Sequence, residues 1–195
     1  MQIPPITLGF IVVCVAVFML QQSQGDAIVE QYALWPWGEY FHTWQLVTYA
    51  FLHGGFQHLF FNMVGLVVFG SDLERLWGAS RYIAFLLVSI VAAGLTQIGV
   101  NALVGSFAPT VGASGGIYGL LLAFAMIFPD RRLIALVFPV PLRARTFALV
   151  FAGIELFSGV TGTSAGVAHF AHLGGMVGGL LMLLLWKLED SASLR

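Results

Sequence analysis

The sequence predicts an all-α membrane protein that crosses the bilayer six times. Hydrophobic residues make up 59% of the 195-residue chain and charged residues only 9%, whereas soluble domains carry roughly 25% charged residues. Six apolar segments can be distinguished, and every lysine and arginine falls in alternate connections or after the last segment. These three observations indicate a single membrane domain over residues 1–195, solvated mainly by lipid.

The six segments are assigned by hydropathy, and each is expected to be a helix. Backbone polar groups cannot go unpaired in hydrocarbon, and these runs are too long for membrane β-strands and lack their alternation. The first segment has no basic region of the kind that begins a cleaved signal peptide, so we expect it to be retained. The predicted spans cover approximately residues 6–21, 56–70, 82–104, 114–128, 146–160 and 167–186.

The distribution of positive charge predicts the orientation of the chain. Two arginines separate the second and third spans, four separate the fourth and fifth, and two basic residues follow the sixth. Lysine and arginine mark the cytoplasmic face, so both termini are expected in the cytoplasm. The basic residues are Arg75, Arg81, Arg131, Arg132, Arg143, Arg145, Lys187 and Arg195.

The long external connection, residues 22–55, is rich in aromatic side chains and poor in charge. Aromatic residues of this kind prefer the headgroup region, so we expect the connection to lie in the membrane interface. Its pattern is equally compatible with a simple connector and with a functional role. The aromatic residues are Trp35, Trp37, Tyr40, Phe41 and Trp44.

Polar residues within three spans are predicted to share one depth. Ser114 begins the fourth segment, whose fifteen residues reach about 22 Å across a hydrocarbon core of about 30 Å. His172 precedes Lys187 by fifteen residues, so it also stands about 22 Å above the cytoplasmic face. The same count puts His58 at about 21 Å, with Asn62 one turn below it. An inward-facing polar layer of this kind predicts a functional site.

These residue types can perform nucleophilic catalysis. A serine hydroxyl needs a neighbouring base, and His172 is the candidate base for Ser114. Backbone N–H groups at a helix start, the Asn62 amide and a His58 N–H could stabilise an oxyanion. Tyr118, one turn after Ser114, could pack on the His172 ring and orient it. The simplest site is therefore a Ser–His dyad.

Glycines repeat at helical spacing beside both candidate catalytic residues. Gly115 and Gly119 follow Ser114, while Gly175 and Gly179 follow His172. Such faces let transmembrane helices approach closely, as a Ser–His hydrogen bond requires. The alternative is that these glycines only pack helices, but that would not explain a serine and a histidine at the same level.

Other polar residues are assigned outside the Ser–His dyad. Glu155, in the fifth segment, could be a third catalytic partner, but a hydrogen bond to another helix or loop, or access to water, is the preferred interpretation. His53 and His169 could each assist a site, but interfacial hydrogen bonding is the preferred interpretation for both. His42 is assigned to a loop, and Cys14 is interpreted as a small apolar residue within the first span.

Several classes of function are disfavoured. A net charge of −1 leaves no basic surface for nucleic acid. The histidine pairs could in principle bind zinc, but the chain has no His-Glu-x-x-His motif and only one cysteine, so neither a metal nor another cofactor is expected. A transporter is also disfavoured, because the sequence shows no evident inverted repeat and no pair of broken helices.

The motifs together resemble the rhomboid family of intramembrane serine proteases, and the resemblance runs from Trp44 to about Leu184. Order, spacing and host segments all agree, and the six spans with cytoplasmic termini resemble the bacterial form. The motifs are Gly112-Ala113-Ser114-Gly115 with Tyr118, His58-x-x-x-Asn62, and Ala171-His172-x-x-Gly175-x-x-x-Gly179.

The resemblance implies a role for each residue of the predicted layer. Ser114 would be the nucleophile and His172 the general base, while His58, Asn62 and the Ser114 backbone N–H would hold the oxyanion. Tyr118 would stack on His172.

The resemblance also implies a setting for the reaction. Transmembrane substrates would enter laterally near the second and fifth helices and be cleaved near their outer ends, after a small residue, without a cofactor. The setting would be the bacterial inner membrane. The alternative within this resemblance is a catalytically silent relative that acts as a membrane chaperone or substrate-binding protein.

One position departs from the family pattern. Many members carry Trp-Arg in the first external connection, whereas this chain has Trp44-Gln45. A loop-anchoring role that requires the arginine charge is therefore in question. The candidate serine and histidine are unaffected.

Overall fold

The computed structural model describes residues 2–134, 140–163 and 166–192, with side chains as far as Lys187. Arg195, used above to predict orientation, lies outside the described residues. The chain is mostly helical, as expected. Within the described ranges, four helical stretches are long and apolar enough to cross a membrane: Pro5–Gln24, Phe56–Val104, Ala144–Thr161 and His169–Lys187. A shorter apolar helix covers Ser114–Ile127.

The described elements run in the following order. The helices are α1 (Pro5–Gln24), α2 (Asp26–Tyr32), α3 (Gln45–Thr48), a 3-10 turn (Tyr49–Phe51), α4 (Phe56–Gly65), a π-helical turn (Leu66–Gly70), α5 (Ser71–Val104), α6 (Ser114–Ile127), α7 (Ala144–Thr161) and α8 (His169–Ala192). Between α6 and α7, the short strands β1 (Arg132–Ile134) and β2 (Pro141–Arg143) pair antiparallel, with Leu133 opposite Leu142.

The connection between the second and third predicted spans is itself helical. The helical path runs from Phe56 through the π-helical turn to Val104, a length of 49 residues. It is broken at Gly78, which has φ 75° and ψ 168°, a backbone conformation that favours glycine. Hydropathy marks only the apolar part of a helix, so it did not indicate that the polar residues between the second and third predicted spans are helical.

The aromatic external connection is folded and fastened to the segment that precedes α6. It contains α2, α3 and the 3-10 turn. The backbone of Leu34 pairs with that of Thr110 through hydrogen bonds of 3.0 and 2.9 Å. The buried Tyr49 hydroxyl donates to the carbonyl of Ile90 on α5 at 2.8 Å. This connection therefore helps to position the start of α6.

Helices α5, α6 and α8 pack through their glycines. A β-carbon added at Gly175 would overlap the carbonyl oxygen of Gly115. One added at Gly179 would lie 2.7 Å from Cζ of Phe85 and 3.2 Å from Cα of Gly119. Backbones this close leave no room for side chains, and they bring the beginnings of α6 and α8 together.

A buried carboxylate from α5 caps the beginning of α1. The Glu74 oxygens accept hydrogen bonds from the backbone N–H groups of Ile6 at 2.8 Å and Thr7 at 2.7 Å. The Thr7 hydroxyl donates to the same carboxylate at 2.7 Å. The first N–H groups of a helix lack intrahelical partners, so this carboxylate satisfies donors that would otherwise be unpaired.

We expect Glu74→Gln to lower the free energy of unfolding by about 3 kcal/mol, because an NH₂ group would face backbone donors and hydrogen bonds to a charged group would be lost. Thermal unfolding in detergent micelles measures the effect. Asp72→Asn is the control: Asp72 pairs with Arg75 and Arg131 at the surface, and such pairs are worth less than about 1 kcal/mol. Equal stability of the two variants would contradict the capping role.

Candidate active site

Ser114 and His172 are in hydrogen-bond contact although 58 positions separate them in the sequence. Ser114 is the half-buried first residue of α6, and the buried His172 lies one turn into α8. The Ser114 Oγ lies 2.7 Å from the His172 Nε2. This distance suits a hydroxyl that donates to an unprotonated imidazole nitrogen.

Tyr118 lies flat against the His172 ring. The ring centroids are 4.3 Å apart and the planes differ by only 4°. Because Tyr118 is one turn after Ser114 on α6, the same helix face supplies the hydroxyl and the surface on which the imidazole rests. The stacking restricts rotation of the ring and keeps Nε2 directed at Ser114.

The Glu155 carboxylate, buried on α7, joins this group from the other side. The Tyr118 hydroxyl donates to its Oε1. Its Oε2 lies 2.6 Å from Nδ1 of His169 and 2.9 Å from Nδ1 of His172. The last pair is close but not aligned as a hydrogen bond, so within the described residues Nδ1 of His172 has no well-directed acceptor. The preferred interpretation, a hydrogen bond from Glu155 to another helix, is present, and the contact with His172 is the one that the alternative of a third catalytic partner would require.

His58 presents a donor toward the segment that leads into Ser114. Its Nδ1 accepts the backbone N–H of Gly54 at 3.3 Å, so in the neutral ring Nε2 carries the proton. A β-carbon at Gly112 would lie 2.7 Å from that Nε2. Gly112 also has φ 124°, which favours glycine. The absence of a side chain at Gly112 thus lets His58 approach the start of α6.

Asn62 is buried one turn after His58, and its amide is only partly satisfied. Its Nδ2 donates to the His58 carbonyl at 2.8 Å. Its Oδ1 has no hydrogen-bond partner in the part of the chain that the structure describes. An amide nitrogen has two hydrogens, and only one of them has an acceptor among the described residues.

The segment before Ser114 is held by a residue that sequence reasoning missed. The backbone N–H of Gly112 donates to the carbonyl of Tyr49 at 2.9 Å. No motif singled out Tyr49, and Gly112 was interpreted only as part of the serine motif. A backbone carbonyl carries no sequence signature, so only the folded structure reveals this contact.

Gln45 anchors the aromatic connection without a charge. Its side chain is fully buried. Its Nε2 donates to the carbonyls of Tyr40 at 3.0 Å and Gln31 at 3.4 Å, and its Oε1 accepts the backbone N–H groups of His42 at 3.1 Å and Trp35 at 3.4 Å. A neutral amide therefore performs the anchoring that the sequence departure had called into question.

His53 is buried next to His58. The sequence instead predicted a residue that forms hydrogen bonds at the membrane interface. Gln21 hydrogen-bonds both the backbone N–H of His53, at 3.0 Å, and its carbonyl, at 3.3 Å. Neither ring nitrogen has a partner among the described residues. Burial, with repulsion from His58, lowers the pKa of His53 to about 4, so its ring is neutral at physiological pH.

The structure also describes the three other residues that the sequence analysis assigned: His169, His42 and Cys14. His169 does form hydrogen bonds, to Glu155 and, through Nε2, to the Thr163 carbonyl at 3.2 Å. His42 lies in the external connection and stacks on Trp44 with centroids 4.3 Å apart. Cys14 is fully buried in an apolar cluster.

Glu155, His169 and His172 are also the described residues best placed to hold a metal, with ligand atoms within 4.8 Å of one another. Ligands of tetrahedral zinc, bonded at about 2.0–2.1 Å, are about 3.3 Å apart. The Glu155 Oε2 is only 2.6 and 2.9 Å from the two histidine nitrogens. This spacing is that of hydrogen bonds.

Comparison with known proteins identifies relatives along nearly the whole chain. A family model described as Rhomboid domain matches residues 40–188. The chain is 31% identical over 196 aligned residues to the rhomboid protease GlpG of Yersinia pestis (strain Pestoides F), and 30% identical over 199 to that of Yersinia enterocolitica. Each alignment covers 98% of this chain and 66% of the relative, so the chain spans slightly less than two thirds of their length.

Proposed function

This chain belongs to the rhomboid family, and on that premise we propose that it is an intramembrane serine endopeptidase. Its substrates are membrane proteins, whose transmembrane segments it cleaves near their outer end. The observation that carries the proposal is the 2.7 Å contact between the Ser114 Oγ and the His172 Nε2. A hydroxyl next to an unprotonated imidazole nitrogen is the arrangement that activates a serine for acyl transfer.

In the proposed mechanism, the Ser114 oxygen attacks the scissile carbonyl carbon while its proton passes to Nε2 of His172. The tetrahedral intermediate then collapses, and the leaving amine takes that proton. Water hydrolyses the acyl-enzyme in the same way, with His172 again as base. No step needs a cofactor.

The oxyanion of the tetrahedral intermediate is held by hydrogen-bond donors. We assign this role to the Ser114 backbone N–H, the Nε2–H of His58 and the free Nδ2 hydrogen of Asn62. Three facts support the assignment: Ser114 is the first residue of α6, His58 lies against Gly112, and only one Asn62 hydrogen is used within α4. Donors fixed in advance stabilise developing negative charge without having to reorganise.

The chain is an integral membrane protein, and we infer six crossings with both termini in the cytoplasm. The break at Gly78 divides the 49-residue helix into a second and a third crossing, and the short α6 is the fourth. The lysine and arginine distribution supports the orientation. A tag at the C-terminus should be digested by protease in inverted membrane vesicles and protected in intact cells; the reverse result would contradict this orientation.

The experiment that tests the function uses the full chain reconstituted in proteoliposomes with a labelled single-span substrate. We expect one cut near the outer end of the substrate span, after a small residue, and covalent labelling of Ser114 by a fluorophosphonate. Cleavage should persist in the presence of a metal chelator. Substrate binding without cleavage or labelling would instead indicate the silent, chaperone-like relative.

A further inference from the structure

We propose that Glu155 is the third member of the site, a positioning residue that acts on Ser114 through His172. This inference rests on the proposed function. The carboxylate would keep the His172 proton on Nδ1 and stabilise the positive charge that the ring acquires when it takes the Ser114 proton. It would make the site a Ser–His–Glu triad.

The first support is geometric. Ser114 contacts Nε2 of His172 at 2.7 Å, and Glu155 contacts Nδ1 of the same ring at 2.9 Å. Nδ1 is buried without a well-directed acceptor among the described residues. A base–carboxylate contact can be poorly aligned in the free enzyme and tighten when substrate binds, so this carboxylate is the acceptor best placed for the Nδ1 proton.

The second support is the set of donors around Glu155. Tyr118 donates to Oε1, while His169 and His172 both face Oε2. Nε2 of His169 faces the Thr163 carbonyl, which can only accept, so that nitrogen carries a proton. Its Nδ1 faces Oε2 of Glu155 at 2.6 Å, so the carboxylate is hydrogen-bonded on both of its oxygens.

The hydrogen-bonding groups around Glu155 explain how a carboxylate can be buried on α7. An unpaired buried charge is costly, whereas a buried carboxylate with its acceptor sites hydrogen-bonded is tolerated. His169 faces one oxygen of Glu155, and Tyr118 donates to the other. When Ser114 gives up its proton, the resulting imidazolium of His172 lies 2.9 Å from a Glu155 oxygen.

The chemical consequence concerns the tautomer of His172. With the proton on Nδ1, Nε2 has a free lone pair and can take the Ser114 proton. With the proton on Nε2, the ring cannot act as a base toward Ser114. Tyr118 stacking holds the plane of the ring but does not distinguish these tautomers, whereas the Glu155 oxygen does.

The test compares Glu155→Gln with wild type in the reconstituted cleavage assay. We expect kcat to fall by about 10²-fold or more, since general-base catalysis contributes about 10²–10⁴-fold, while KM changes little. Glu155→Asp, which keeps the charge but shortens the reach, should retain more activity than Glu155→Gln. Ser158→Ala is the matched control, because Ser158 is also buried on α7, one turn further along, and should leave kcat unchanged.

A spectroscopic readout separates this role from a structural one and does not depend on the folding of a variant. In wild type labelled with ¹⁵N-histidine, with the fluorophosphonate bound to Ser114, His172 should show a strongly low-field Nδ1–H proton. Its absence in the wild type would overturn the inference.

The outcomes distinguish the inference from the proposed function. Normal kcat in Glu155→Gln, together with an inactive Ser114→Ala, would overturn the triad and leave the protease intact. No cleavage and no Ser114 labelling by wild type would overturn the proposed function itself.

Discussion

Ser114→Ala is expected to lower kcat for a transmembrane substrate by about 10⁴-fold or more, because removing a serine nucleophile removes the covalent pathway altogether. His172→Ala should have a comparable effect, since a serine without its base is a poor nucleophile. The double variant should be no worse than either single one, because residues that act as a unit do not contribute additively. Single-turnover cleavage in proteoliposomes measures all three rates.

Folding must be separated from chemistry in this comparison. Ser114 is half-buried, so its replacement by alanine should leave the melting temperature close to that of wild type. Cys14→Ala is a useful control, since Cys14 is the chain's single cysteine and lies in a separate apolar cluster; it should retain cleavage. Sustained turnover by purified Ser114→Ala would overturn the assignment of the nucleophile.

Gly175→Ala is expected to lower the free energy of unfolding by about 3 kcal/mol or more, with a parallel loss of cleavage. Its added methyl group would overlap the Gly115 carbonyl, and neither helix backbone can move aside without disturbing the packing around it. Pushing α6 and α8 apart would also lengthen the contact between Ser114 and His172. Thermal unfolding and cleavage of the same substrate measure the two effects.

A second glycine in a helix provides the matched control. A β-carbon at Gly99, on α5, would meet nothing within 4 Å, so Gly99→Ala should be neutral or stabilising by up to about 1 kcal/mol. The same chemical change is thus predicted to lower stability at one helical position and not at the other. If Gly175→Ala has the melting temperature and the cleavage rate of wild type, close packing of α6 against α8 is needed for neither stability nor activity.

The sequence predicts where the helices lie along the membrane normal, and this placement stays a prediction. Charged residues mark the ends of apolar segments, and a helix rises a constant distance per residue. This count is why Ser114, His172 and His58 could be placed in one layer, and why Tyr118 could be placed one turn from Ser114. The same method gave no information on residues 71–81, because hydropathy does not report polar residues that remain helical.

The rotation of each helix and the course of the backbone between helices could not be predicted in this way. Glu155 was recognised as a buried acid that required a partner, yet nothing in α7 alone indicated that it would reach both His169 and His172. The approach of His58 to Gly112 depends on the positive φ of that glycine. Gln45 is held by backbone groups of several residues, which no residue pattern reveals.

A helical membrane protein, the family resemblance and the residues expected to carry out the chemistry could all be predicted, because hydropathy, charge and helical spacing are properties of local sequence. Which of these side chains touch depends on the folded chain. The 2.7 Å contact from Ser114 to His172 and the 2.9 Å contact from His172 to Glu155 join three helices. Contacts of this length depend on how neighbouring helices are rotated and how closely their glycine faces pack, and both follow from the whole set of packed side chains.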